Sequence, residues 1–165
     1  MILYHGSMMV IDQPRILSRP DGRGADFGIG FYTTSSHAQA VKWVNIRQRG
    51  LGEMKHGYVS RYEVPDNLLR LPDLKTRSFA NANRAWLHFV RDNRNVPDFS
   101  HAFDIVFGPV ANDRVYTTLT LWEGGFLDEE QTIERLKTYK LANQYLFHTE
   151  KALPYLKFIN AEEIE

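Results

Sequence analysis

The chain contains no cysteine. Disulfides, thiolate nucleophiles and thiolate metal sites are thereby excluded, and a reducing compartment fits the composition. No apolar run approaches the ~20 residues that a membrane-spanning helix needs. The opening Met1 to Gly6 lacks the basic start and long apolar stretch of a signal peptide, so a cytoplasmic location is expected. Charge of one sign is missing too: 20 Lys/Arg balance 20 Asp/Glu. That balance argues against nucleic-acid binding as a primary role. His5, His37, His56, His88, His101 and His148 are scattered without the spacing of metal ligands. No Gly-Lys-Ser/Thr phosphate loop occurs, and a G-x-G-x-x-G count from Gly22 fails at Phe27. An apolar strand, not a helix, follows these glycines. No internal repeat, low-complexity tract or flexible linker breaks the chain.

What is present is enough for one globular domain over residues 1–165. Hydrophobic residues at 43% can fill a core, and charged residues at 24% are too few for a disordered chain. The charge is unevenly placed. Residues 1–100 hold 14 Lys/Arg against 9 Asp/Glu, and residues 101–165 hold 6 against 11. Either the first hundred residues draw a phosphate-bearing ligand, or this is ordinary surface scatter.

The pattern predicts an α+β fold with strands and helices irregularly interspersed. Strands are expected at Ile2 to His5, Gly30 to Thr34, Tyr58 to Val64, Ile105 to Val110, Gln144 to His148 and Leu156 to Ile159. Residues 12–26, rich in Pro, Gly, Asp and Arg, read as a loop. Ser36 and Gln39 have capping-box spacing for a helix through Ile46. Phe79, Ala82, Trp86, Phe89 and Val90 recur at helical spacing across 78–93, with Trp86 and Phe89 in the core. Asn112 or Asp113 caps a further helix, although Thr117, Thr118 and Thr120 favour strand there. Asp128 caps a last helix, with Gln131 at its N3 position.

Two segments carry chemistry. One is Leu3-Tyr4-His5-Gly6-Ser7; the other is Phe27-Gly28-Ile29-Gly30-Phe31-Tyr32-Thr33-Thr34. Each is an apolar-aromatic strand with a small polar cluster at one end. Side by side they would offer a glycine peptide group, an imidazole, hydroxyls at Ser7 and Thr33, and an aromatic face. That set suits a flat, amide-bearing ring such as nicotinamide. The competing reading of Gly28 and Gly30 is a tight turn at positive φ before a strand. For His5 it is a surface or capping role, and for Tyr32 and Trp43 ordinary core packing.

These motifs resemble the ADP-ribosyltransferases of the diphtheria-toxin and poly(ADP-ribose) polymerase type. The resemblance rests on His5-Gly6-Ser7, on Phe27 to Tyr32, on Trp43 eleven residues after Tyr32, and on the late strand Gln144 to Thr149. The whole chain more closely resembles a bacterial family of small ADP-ribosyltransferase-like proteins, number 3990 in the domain-of-unknown-function series. The blocks Asp104 to Asp113 and Gln144 to Leu153 carry that likeness. The resemblance implies a split β-sheet core with flanking helices and NAD+ as donor substrate. It implies that Gly6 and Ser7 bind the carboxamide, that His5 bonds a ribose hydroxyl, and that Tyr32 and Trp43 sandwich the nicotinamide. Gly28 and Gly30 would let the ligand approach the backbone. Arg15, Arg19 and Arg23 lie in a loop that could cover the diphosphate.

The departure is Gln144, which stands where the wider pattern has a glutamate. Three readings are open. Gln144 supports single ADP-ribose transfer; another carboxylate such as Glu150 serves, although a helix start would equally explain that residue; or the fold binds NAD+ or ADP-ribose without chemistry. The resemblance further suggests the toxin of a bacterial toxin–antitoxin pair, with a small protein antitoxin as partner. The acceptor is open.

Overall fold

Two antiparallel-dominated sheets meet at a single β-bridge in a computed structural model that describes residues 1–17, 25–50 and 56–165. The first sheet has the order β1-β3-β7, from Ile2–Ser7, Gly57–Glu63 and Lys157–Ile164. The second has the order β2-β6-β5-β4, from Phe31–Thr33, Asn143–Phe147, Ile105–Pro109 and Thr76–Ser78. Among the described strands, only β4 and β5 run parallel. The architecture is α+β, and the sheet is split between β1 and β2. At the split, Tyr4 and Thr34 exchange two backbone hydrogen bonds of 2.8 and 2.9 Å.

Helix α1 (His37–Arg49) starts where expected, with the Ser36 side chain accepting from the Gln39 amide. It lays Ala40 and Val44 on β1 and β3, against Val59. Two glycines allow that approach. A Cβ on Gly6 would sit 2.2 Å from the Ala40 carbonyl oxygen, and one on Gly57 would sit 2.0 Å from a Val44 methyl. Helix α2 (Arg84–Asn95) begins later than the hydrophobic spacing predicts, because Asn83 caps it by accepting from the Trp86 amide. The residues before it form β4 and a turn instead. Phe79 still joins the core, but from β4's exit. Trp86 is fully buried, and its indole N–H donates to the Pro109 carbonyl.

Helix α3 (Asp113–Glu123) forms despite its threonines. Asn112 caps it, and Thr117, Thr118 and Thr120 turn their hydroxyls back onto carbonyls four residues earlier. Helix α4 (Glu129–Leu136) has the full capping box from Asp128 and Gln131. One core spans both sheets, joining Leu3 and Tyr62 to Phe31, Ile105 and Phe147. A second lies under α2, α3 and α4, around Phe27, Trp86, Val106 and Leu146.

Candidate functional site

Strand geometry decides what β1 presents at the split. Alternate residues of a strand send their N–H and C=O to the same edge. Tyr4 faces β2, so Gly6 faces that edge as well, beyond the point where pairing stops. Tyr32 likewise directs its carbonyl at β1, and there the His5 side chain meets it, Nδ1 to O 2.6 Å. A carbonyl only accepts, so His5 carries its proton on Nδ1 and leaves Nε2 as an acceptor. Burial holds the imidazole far below its ordinary range, at about 4, so the ring is neutral at neutral pH. It stacks on Phe31 at 4.1 Å between centroids.

Beside this crossing lies a cavity of about 470 Å³, a size that suits a small-molecule ligand. Its wall draws on β1, β2, β6, one face of α1, the start of α3 and segment 25–30. His5, Tyr32, Trp43 and Gln144 all line it, although they come from four separate elements. Gly28 and Gly30 line it too, at φ +94° and +145°. The tight-turn reading of these glycines holds: both sit at positive φ, in a turn that forms part of the cavity wall.

Tyr32 presents its ring while its hydroxyl is held. The O–H donates to the Gly28 carbonyl at 2.6 Å and accepts from the Phe27 amide at 3.0 Å. The phenol thus braces the turn that shapes the wall. Tyr32→Phe is expected to lower stability by about 1–2 kcal/mol, because it strips a partner from a buried amide. The midpoint of urea unfolding reads that loss.

Gln144 is almost fully buried. Its Nε2 lies 3.0 Å from Asp26 Oδ2 and 3.3 Å from the Pro109 carbonyl. Asp26 is the residue that sequence reasoning missed. Its carboxylate also accepts from the Ala111 amide, the Tyr116 hydroxyl and Arg94. Arg94 in turn lies over the Tyr116 ring, 4.0 Å from its centroid. Burial, then the Asp26 charge, pushes the Tyr116 phenol up, so it remains a donor. The only signal in the sequence was position: a carboxylate directly before Phe27-Gly28.

Other expected site residues fall elsewhere. Ser7 spends its hydroxyl on a local turn, donating to the Met9 carbonyl at 2.5 Å. Thr33 is fully buried and donates to the Tyr145 carbonyl at 3.0 Å, which ties β2 to β6. Neither lines the cavity, and nor does Gly6, whose carbonyl accepts from Arg47 at 3.1 Å. Arg15 is exposed and stands outside the wall, whereas Arg19 and Arg23 lie outside the described residues. Glu150 is exposed in the turn after β6, begins no helix and does not line the cavity. Asp26 is the buried carboxylate that does.

Among the described residues, the excess of positive charge in the first hundred does not collect here. Of the described lining residues, Lys42 and Arg47 are matched in number by Asp26 and Asp113. Exposed Leu17, Ile29 and Ile46 also line the cavity. Among the described residues no three His, Asp or Glu side chains gather as metal ligands, and no helix is long and apolar enough to cross a membrane. No curated protein and no solved structure matches the chain. A family model described as "Protein of unknown function (DUF3990)" matches residues 1–158, nearly the whole chain, which therefore belongs to that family.

Proposed function

We propose that this protein is an NAD+-dependent mono-ADP-ribosyltransferase whose donor binds in the cavity beside the split. One observation carries the reading: His5, Tyr32, Trp43 and Gln144, distant in sequence, share one cavity wall. The chemistry asks little of ionisable groups. The bond between the ribose anomeric carbon and the pyridinium nitrogen breaks, and its electron pair leaves with neutral nicotinamide. The ribose gains oxocarbenium character. A nucleophilic acceptor then bonds to that carbon and gives up its proton to solvent.

Each residue has a part suited to its state. His5 Nε2 accepts from a ribose hydroxyl. The Gln144 amide oxygen accepts from the neighbouring hydroxyl and so favours the cationic transition state. Tyr32 and Trp43 offer π-faces to the cationic ring. The Gly6 amide, on the β1 edge beyond the bridge, would meet the carboxamide oxygen, while its carbonyl is held by Arg47. Among the described residues, Lys42 and Arg47 rather than Arg15 are the cations on the wall that could meet the diphosphate.

A second reading has its own support. Asp26, the carboxylate bonded to Gln144, already accepts four hydrogen bonds and pairs with Arg94, so it has little capacity to spare for a ligand. That favours a module that binds NAD+ or ADP-ribose without cleaving it. Incubating the pure protein with NAD+ labelled on its adenylate half, with and without bacterial lysate, separates the two. Free nicotinamide with a labelled acceptor carrying single ADP-ribose units is expected. Binding without release would leave the module, and neither would remove both.

The toxin role and the protein antitoxin belong to the same proposal and rest on the family resemblance. Induced expression in a bacterial host is expected to arrest growth, and His5→Ala to relieve the arrest. Arrest that persists undiminished in that variant would detach toxicity from this cavity.

A further inference from the structure

The amide of Gln144 has no orientational choice. Asp26 Oδ2 and the Pro109 carbonyl are acceptors only, and both lie at Nε2. The NH2 group must face them, which turns Oε1 away from both. Gln144 itself lines the cavity. A carboxylate bonded to one end of an amide polarises it, and raises the negative character of the oxygen at the other end. The wider pattern obtains negative charge from a glutamate on this strand. Here the charge stands one side chain further back, on the loop before β2.

We propose that Asp26 is the positioning residue for Gln144: it locks the amide with Oε1 toward the ribose site and supplies, through that amide, the charge that a strand glutamate would carry. The inference rests on the transferase reading above. The groups that face Asp26 come from each packed element: Arg94 from α2, Tyr116 from α3, the Ala111 amide from the loop ahead of α3, and Gln144 from β6. His5, Tyr32, Lys42, Arg47 and Asp113 are further titratable or charged groups on the same cavity wall. A purely structural role for Asp26, tying the loop to α2 and α3, predicts something different. It would move stability and leave turnover alone.

Four proteins separate these outcomes: wild type, Asp26→Asn, Gln144→Glu, and the double variant. Nicotinamide release from NAD+ is the readout, with kcat and KM resolved. Asp26→Asn is expected to lose about 10- to 100-fold in kcat, as removal of an outer partner commonly does, with KM little changed. Gln144→Glu is also expected to lose activity, although it restores the familiar residue. It sets two carboxylates about 3 Å apart, and they cannot both ionise freely. The double variant moves the charge to the strand and lets the new amide donate to it, so it is expected to recover to within about tenfold of wild type.

Thermal unfolding gives an independent reading. The raised carboxyl in Gln144→Glu lowers stability, relative to wild type, as pH rises from about 4.3 through its folded value. The double variant lacks that trend. Full kcat in Asp26→Asn, or Gln144→Glu that outperforms wild type, would overturn the proposal while leaving the transferase reading intact. A Gln144→Glu protein without the pH trend would overturn it as well. Wild type that releases no nicotinamide removes the transferase reading, and this inference with it.

Discussion

Gly6→Ala is expected to cost about 3 kcal/mol or more of stability, before any question of ligand arises. The added Cβ would lie 2.2 Å from the Ala40 carbonyl oxygen and 3.1 Å from a Val44 methyl. The nearer atom is backbone inside α1, so no rotamer change relieves it. The helix must lift off β1. Overpacking of this kind costs about 1–3 kcal/mol where side chains can yield, and more where they cannot. For a domain this size, 3 kcal/mol lowers the Tm by roughly 6–12 °C. The consequence for interpretation is direct. The function proposed above gives this glycine to the carboxamide, yet its clearest constraint is the helix behind it. Loss of activity in Gly6→Ala at a temperature where the variant is unfolded would say nothing about nicotinamide. The measurement is thermal unfolding by circular dichroism. A Tm within 2 °C of wild type would contradict the packing argument.

The second large effect comes from His5 and appears on acidification. An unfolded histidine takes its proton near pH 6.5, whereas buried His5 takes it only at about 4. Between these values the unfolded chain binds a proton that the folded chain refuses. Stability from this group is intact above about pH 6.5 and is lost as pH falls toward 4. The two values differ by enough to remove about 3 kcal/mol across that window. Unfolding midpoints measured at intervals from pH 7.5 to 4 should fall on this account, and the fall should shrink in His5→Gln. An unchanged slope in that variant would assign the acid lability to another group. The same neutrality bears on catalysis. From pH 6 upward no activity change should trace to His5, because its charge does not change there.

Short polar punctuation made most elements legible. Ser36, Asn112 and Asp128 each announced a helix start that their side chains do cap. Threonines inside α3 misdirect a propensity argument, because strand preference is decided by surroundings and these hydroxyls find helix carbonyls instead. The start of α2 was misplaced because Phe79 and Ala82 keep helical spacing while serving as core residues of a turn. Strand β4 was illegible: Thr76-Arg77-Ser78 has no apolar face, and it is held through pairing with β5.

The site was legible where side chains announce chemistry and illegible where they borrow it. His5, Tyr32, Trp43 and Gln144 were visible as residue types in an expected order. Asp26 was not, because one of three aspartates in a Gly- and Arg-rich loop looks like solvent-facing polarity. Its burial depends on Arg94, Tyr116 and Ala111, which lie well over sixty residues away. Ser7 and Thr33 illustrate the reverse. Both stand beside the chemistry in sequence, but a strand's alternation and a local turn take their hydroxyls elsewhere.

The lone bridge between Tyr4 and Thr34 has a consequence for how this fold tolerates change. Each sheet completes its own ladder, and the two are welded by greasy contact among Leu3, Phe31, Tyr62 and Phe147 rather than by a run of shared rungs. A crevice flanked by independently registered ladders can be widened, narrowed or relined without shifting the partnering of any strand.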